Sequence, residues 1–362
     1  MLRLSEFLHD SSSGKLYKEM KGIVCIWNLT NKCNLTCKHC YSSANEELQS
    51  TMSIETIAGV LPQLKESGVK MVILSGGEPL LRQDIFDIAG IMRKSGLNLT
   101  LSTNGLLINE NIIDKIKDSF QYVGISIDGE PGVHDHFRGR FGAYDSSIRA
   151  IGLCMEAGIN VGVRFTLSNL TYRSLPHIFR LVEEMKIPKL YISHIVTSGR
   201  GKDLMLPKRQ EYLSSVRLTI NKTIEYFKEG GITKIVTGNN DSEAVVFLNT
   251  VQEQLPEVYP ILLQSLTHWG GNQAGVKLMN INHRGEVRPD PFFVHNCGNL
   301  HENSLTSIWN SNGLLTMLRE KPRKVKGKCM NCEYLAICNG NCRARAYAFY
   351  GTYDAEDPGC LI

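Results

Sequence analysis

Apolar residues along the first two hundred positions alternate between two periods. Short continuous runs recur at Gly22–Leu29, Met71–Ser75, Leu99–Ser102, Val123–Ile127, Val161–Thr166 and Leu190–His194. Each is four to eight residues long and rich in Val, Ile and Leu, as a parallel strand buried on both faces reads. Between them the spacing becomes helical: Ile54, Ile57, Leu61 and Leu64 follow Ser53, a plausible N-cap, and stop near Gly68. Further helices are predicted at Ile85–Lys94, through Ile112, Ile113 and Ile116, through Ile148, Ile151 and Met155, and at Leu175–Met185. Strand then helix, six times, predicts an α/β fold: a full or partial TIM-like (β/α)6 barrel with right-handed crossovers. The strands run into Gly76-Gly77-Glu78-Pro79, Thr103-Asn104-Gly105 and Asp128-Gly129, so polar groups should share one rim.

Beyond Arg200 the rhythm fails. Lys208–Glu229 and Ser242–Leu255 read as helices, followed by a Gly-rich polar loop through Gly275. From Val276 onward short strand-like runs flank turns such as Asn282-His283-Arg284-Gly285, and the last quarter is rich in Cys. The expected division is a leader at 1–21, a barrel core at 22–205, a helical bridge at 206–275 and a small Cys-rich module at 276–362.

A formal net charge of +4 on 362 residues gives no electrostatic footprint for nucleic acid. Neither an apolar run of eighteen residues nor an apolar segment near the start occurs, so a membrane span and a signal peptide are not expected and the protein is placed in the cytoplasm. Eleven Cys in a reducing compartment suit metal ligation rather than disulfides. Cys25 and Cys154 fall inside a strand and a helix and read as small buried hydrophobes.

Three thiols follow the first strand in C-x3-C-x2-C spacing: Cys33, Cys37 and Cys40. A four-iron cubane normally takes four thiolates, so three leave one iron open for another ligand. A zinc loop is the alternative, but it wants C-x2-C pairs and a closed set, and no fourth Cys or second His is near. The spacing, with Tyr41 after it and Gly76-Gly77-Glu78-Pro79 at the next strand's end, resembles the radical S-adenosylmethionine (SAM) enzymes. That resemblance implies SAM chelated at the open iron, with Cys33, Cys37 and Cys40 at the reactive centre. It also implies SAM contacts from Gly76, Gly77, Glu78, Pro79, Ser102, Asn104, Ser126, Asp128 and Arg164, the last pairing with the SAM carboxylate. His39 would face the adenine through its backbone. As single residues, Ser102, Asn104, Ser126, Asp128 and Arg164 also read as caps, turn hydrogen bonds or surface charges.

Cys329-x2-Cys332-x5-Cys338-x3-Cys342, with Cys360 beyond, holds more thiols than one metal needs. It resembles the SPASM module appended to many radical SAM enzymes, which implies Cys329, Cys332, Cys338 and Cys360 as ligands of one auxiliary 4Fe–4S cluster. Where the family's further cluster uses a Cys five positions after a Gly, Gly285 is followed by Asp290. The resemblance therefore implies two 4Fe–4S clusters in all, with Cys297 and Cys342 unassigned. Zinc remains open at the C-terminal set.

Trp27-Asn28-Leu29-Thr30, Phe165-Thr166, Tyr191-Ile192-Ser193-His194, Ser198-Gly199-Arg200-Gly201 and Ala355-Glu356-Asp357-Pro358-Gly359-Cys360 are similar to the NirJ/AhbC enzymes of sirohaem-derived haem biosynthesis. That similarity implies an iron tetrapyrrole substrate and an external ferredoxin- or flavodoxin-type electron donor. The expected reaction removes two acetate arms from 12,18-didecarboxysirohaem to give Fe-coproporphyrin III. NirJ-type removal of propionates, a peptide-modifying maturase and a non-catalytic Fe–S electron carrier are the alternatives. A polycarboxylate wants guanidinium forks, so Arg200, Arg138 and Arg343 are candidate substrate contacts, with Arg140 and Arg345 behind them. His194, His283 and His295 are candidate iron ligands.

Overall fold

A computed structural model describes residues 1–18, 21–47 and 50–362. All six predicted strands are present: β1 (Ile23–Asn28), β2 (Val69–Ser75), β3 (Asn98–Thr103), β4 (Tyr122–Ser126), β5 (Val161–Leu167) and β6 (Lys189–His194). They pair in sequence order and in parallel, with Asn28 opposite Ser75, Ser102 opposite Gly124 and Ser126 opposite Arg164. That register brings the polar strand ends to one rim. The intervening helices cover the sheet; the first, Ile54–Glu66, is capped by Ser53, whose hydroxyl accepts from Thr56 N–H at 3.2 Å.

The sheet continues further than the sequence suggested. Strand β7 (Lys234–Gly238) lies inside the segment read as a helical bridge and pairs in parallel with β6. Strand β8 (Leu278–Ile281) pairs in parallel with β1, and β9 (Glu286–Arg288) and β10 (Gly298–Asn299) add antiparallel edges, giving the order β10-β9-β8-β1-β2-β3-β4-β5-β6-β7. The C-terminal Cys-rich part therefore grows out of the barrel sheet itself.

Two further elements close the body. Leu4–Ser12 is a helix whose Leu4, Phe7, Leu8 and Ser11 are buried, and Leu2 forms a bridge with Thr237 on β7. The segment read as a leader thus covers the outer face beside β7. Tyr259–Trp269, inside the expected polar loop, is also a helix, with Pro260 in its first turn and left-handed Gly270 stopping it. The main hydrophobic cluster runs from Leu2 to Leu361 and contains both Cys25 and Cys154, fully buried as expected.

Candidate active site

The chain leaving β1 carries the three N-terminal thiols, and the chain leaving β2 is moulded onto it. Gly77 N–H donates to Thr30 O at 2.7 Å and Glu78 N–H to Lys32 O at 2.8 Å. A Cβ on Gly77 would stand 2.3 Å from Lys32 O, and one on Gly76 2.6 Å from Thr30 O. Both glycines are thus required by close backbone approach, and both line the cavity into which Cys33, Cys37 and Cys40 open. Glu78 does something other than expected. Its carboxylate is fully buried and accepts from Thr103 Oγ1 (2.8 Å), Asn104 N–H (2.9 Å) and Leu80 N–H (3.1 Å). Burial lifts its pKa to about 7 despite those donors. Glu78 therefore ties the end of β2 to the end of β3, and with Pro79 it lies behind the cavity surface.

Asn104 is held by its neighbours as well: Nδ2 donates to Asn34 Oδ1 at 2.8 Å and Oδ1 accepts from Leu106 N–H at 2.9 Å. Ser102 and Ser126 line the cavity, as does Arg164, whose guanidinium lies 4.8 Å from the Tyr191 ring centroid. Among the described residues no carboxylate pairs with Arg164, so its charge faces the cavity. Asp128 was expected at the SAM ribose, yet it is fully buried, accepts from Thr166 N–H at 2.7 Å and forms an ion pair with Arg138. Arg138 in turn lies with its Nη1 3.7 Å from Cys37 Sγ.

Most of the other expected substrate arginines are struts. Arg200 donates from Nε to Cys37 O (2.9 Å) and from Nη1 to Ala44 O (2.6 Å), while its backbone N–H donates to Cys40 O (2.9 Å). Arg343 is buried against the carbonyls of Tyr353, Ala355 and Gly340. Arg345 forms a two-pronged pair with Asp357, 2.8 Å in each arm, and reaches Ile195 O at 3.1 Å. Arg140 is exposed, 3.4 Å from Asn34 O. The histidines fare similarly. His194 is 1% exposed with Nε2 3.1 Å from Glu243 and Nδ1 2.7 Å from Tyr212 OH, which leaves no nitrogen for iron. His295 lies against Tyr353 OH at 3.0 Å.

The cavity spans about 1550 Å³ with its open mouth included. Asp241, which no motif marks, and Asp290, which stands where the family's further cluster has a Cys, also line it. Asp290 is 3% exposed and accepts from Phe292 N–H at 2.8 Å, and burial raises it to about 7.

A second cavity of about 1020 Å³ is lined by Cys329, Cys332, Cys338 and Cys360 together. Cys342 points elsewhere: it is 2% exposed, and its sulfur accepts from Arg345 N–H at 3.4 Å as the cap of the helix Arg343–Tyr350. Cys297 is half-buried on the strand edge with its N–H bonded to Val287 O. Among the described residues no three His, Cys, Asp or Glu side chains close on a single ion, whereas three thiols open on one cavity and four on another. Soft donors so grouped fit iron–sulfur cubanes.

Family models identify a radical SAM superfamily domain over residues 27–182 and a SPASM iron–sulfur cluster-binding domain over 273–333. Pre-heme d1 synthase of Dinoroseobacter shibae is 36% identical across all of this chain and 92% of its own length. Fe-coproporphyrin III synthase of Methanosarcina barkeri is 34% identical, covering 95% of this chain and 89% of that protein. The chain is a radical SAM enzyme of the NirJ/AhbC type. An AdoMet-dependent heme synthase of Oleidesulfovibrio alaskensis, 29% identical over 92% of this chain and 86% of its own, belongs to the same circle. Among solved structures, Streptococcus suis SuiB bound to S-adenosylmethionine superposes with a TM-score of 0.73 over 94% of this chain and 77% of its own, at 18% identity. That likeness shows the shared radical SAM/SPASM fold. No helix among the described residues of this radical SAM enzyme is long and apolar enough to cross a membrane.

Proposed function

We propose that this radical SAM enzyme removes two acetate side chains from 12,18-didecarboxysirohaem to give Fe-coproporphyrin III, using one 4Fe–4S cluster at Cys33, Cys37 and Cys40 and one at Cys329, Cys332, Cys338 and Cys360. Chain-long similarity to a synthase of Fe-coproporphyrin III carries the reading; a cavity onto which the three N-terminal thiols, Ser102, Ser126 and Arg164 all open supports it. When bound, the open-iron cluster and SAM supply a 5′-deoxyadenosyl radical that takes hydrogen from the substrate. This chain's residues do the placing. Gly76 and Gly77 let the end of β2 close onto the backbone of Thr30 and Lys32 beside the thiols, forming an edge where SAM would lie, and Glu78 fixes that edge from behind. Arg164 offers an unpaired guanidinium to a carboxylate, and Ser102 and Ser126 offer hydroxyls on the same wall.

Once hydrogen is taken from the ring carbon beside an arm, C–C cleavage forms the ring double bond and releases the arm as a carboxymethyl radical, which one electron and one proton convert to acetic acid. Four thiolates fill the auxiliary cluster's coordination, which favours an electron-transfer role over one in holding substrate. The wall between the cavities supports this: Asp241, lining the first, donates its N–H to Asn341 Oδ1, lining the second, at 2.6 Å. The electron donor is assigned to the ferredoxin or flavodoxin class, and the site of action to the cytoplasm. The 36% identity to a pre-heme d1 synthase favours a second reading, NirJ-type removal of propionates. Anaerobic turnover with SAM, reductant and didecarboxysirohaem, followed by mass analysis of the tetrapyrrole, separates the two. Loss of two acetates supports the first, loss of two propionates the second, and an unaltered tetrapyrrole beside released 5′-deoxyadenosine refutes both.

A further inference from the structure

The helix Pro131–Arg138 and the turn after it are docked along the whole N-terminal Cys loop. Lys38 N–H donates to Phe137 O at 2.9 Å, the His39 and Phe137 rings stack at 4.4 Å, and Arg140 reaches Asn34 O. Gly139 is left-handed, with φ +73°, and a Cβ there would stand 2.3 Å from Thr36 Oγ1. This packing aims one charged group at one thiol: Arg138, 8% exposed, places Nη1 3.7 Å from Cys37 Sγ. Behind it the fully buried Asp128 forms its ion pair, itself fixed by Thr166 N–H donating to Oδ1 and by Asp128 N–H donating to His134 Nδ1 at 3.0 Å. Arg138 Nε is buried with no partner. Arg138 lines the cavity but is committed to Asp128 and Cys37 rather than free for a substrate carboxylate, and Asp128 lies behind the cavity surface, away from a ribose.

We propose that Asp128 and Arg138 form a charge relay that sets the reduction potential of the SAM-binding cluster, Arg138 raising it through Cys37 and Asp128 moderating that effect. The proposal rests on Cys33, Cys37 and Cys40 holding that cluster. The physical basis is general. A donor and a positive charge at a ligand sulfur stabilise the more negative, reduced cluster, and a low-dielectric surrounding leaves them unscreened. Asp128, one residue further back, acts with the opposite sign and smaller weight. Reduction of this cluster by one electron precedes SAM cleavage, so the pair would govern how readily the outside donor primes the enzyme.

The test is an electron-paramagnetic redox titration of anaerobically reconstituted protein, following the signal that changes on adding SAM. Arg138→Gln should lower the reduced-to-oxidised ratio at fixed potential by about tenfold, equivalent to about 59 mV for one electron. Arg138→Lys should fall between Arg138→Gln and the unaltered protein, because it keeps the charge and loses the fork. Asp128→Asn should move the ratio the other way. Opposite shifts at two touching residues cannot come from loosened packing, which would move both variants alike. If Asp128→Asn loses its fold, the order of the two Arg138 variants carries the same test. Shifts of one sign for Arg138→Gln and Asp128→Asn, or a fully loaded cluster whose potential does not move, would overturn the inference. A chain with no SAM-responsive signal at all would overturn the cluster assignment beneath it.

Discussion

Replacing Asp357 by Asn should release the auxiliary cluster and destabilise the protein by several kcal/mol, because the two effects share one carboxylate. Asp357 is fully buried and Arg345 nearly so, with side-chain exposures of 0% and 2%. Both prongs of the pair measure 2.8 Å. The same carboxylate accepts from Cys342 N–H at 2.9 Å and Gly359 N–H at 2.8 Å, the latter one residue before the proposed ligand Cys360. Removing one partner of a buried pair costs about 3–5 kcal/mol, since the other charge is left without compensation. For 362 residues the unfolding entropy is roughly 0.8 kcal/mol per kelvin, so Tm should fall by about 4–7 °C. Arg345→Met should cost less, as Asp357 keeps its two backbone donors. The double variant Arg345→Met/Asp357→Asn should recover part of the loss, because no buried charge remains, while the single amide oxygen of Asn accepts from one of Cys342 N–H and Gly359 N–H and leaves the other unpaired. Thermal melts of the four reconstituted proteins, with iron counted before and after, close the cycle. Single losses below about 1 kcal/mol, or losses that simply add, would refute the argument that the pair acts as a unit.

Alanine at Cys33, Cys37 and Cys40 together should halve the iron bound, from about eight to about four per chain, and abolish 5′-deoxyadenosine release; retention of all the iron would contradict the N-terminal ligand assignment. Gly271 is left-handed at φ +74°, and a Cβ on it would lie 2.3 Å from Cys338 O, so Gly271→Ala should shed auxiliary iron while substrate-free SAM cleavage persists. Gly270→Ala is its control, because the new Cβ there meets only the flexible end of Lys321; equal iron loss from both would dismiss the Cys338 contact. Asp290 titrates near 7 in the folded protein against an ordinary value of 3.8, so the fold binds its proton more tightly than the unfolded chain does. Stability of the iron-free protein should therefore decline as pH rises from about 4 to about 7. Asp290→Asn should flatten that slope in denaturant titrations, and an unchanged slope would remove Asp290 as its source.

The barrel was legible because its strands are long, apolar and doubly buried, and each is followed by a helix that announces itself. What escaped has specific causes. Strand β7, Lys-Ile-Val-Thr-Gly, offers only two strongly apolar residues in five and is separated from a 21-residue helix by only Gly230-Gly231-Ile232-Thr233. Its place in the sheet is decided by β6 beside it and Leu2 at its edge, contacts that span long stretches of chain. The helix Tyr259–Trp269 was readable, by contrast: Leu262, Leu266 and Trp269 keep helical spacing, Pro260 is a start signal and Gly270 a stop signal. The neighbouring glycines at 270, 271 and 275 mask that pattern. Leu4, Phe7, Leu8 and Ser11 likewise mark one buried face of a short helix.

The thiols were legible for a reason that does not extend to the arginines. A metal ligand is defined by its own chemistry and by local spacing, both of which are written in sequence. A guanidinium serves equally as a substrate fork or as a cap on stray carbonyls, and the choice depends on what the fold brings to it. Arg200 meets Cys37 O across 163 positions and Arg345 meets Ile195 O across 150; neither partner can be inferred from a neighbouring residue. Counting what remains sharpens the substrate problem. Arg138, Arg343 and Arg345 are spent on buried partners, and Arg200 has one nitrogen, Nη2, left without an acceptor. Among the described arginines lining the cavity, Arg164 is then the one whose whole guanidinium is uncommitted to a carboxylate or carbonyl, and both SAM and a tetrapyrrole would bring acids to it. If SAM takes it, Arg200 Nη2 is left to one tetrapyrrole arm, and the others are met by hydroxyls, amides and the solvent at the mouth. Affinity for the substrate should then depend only weakly on salt, because few charges would be paired on binding.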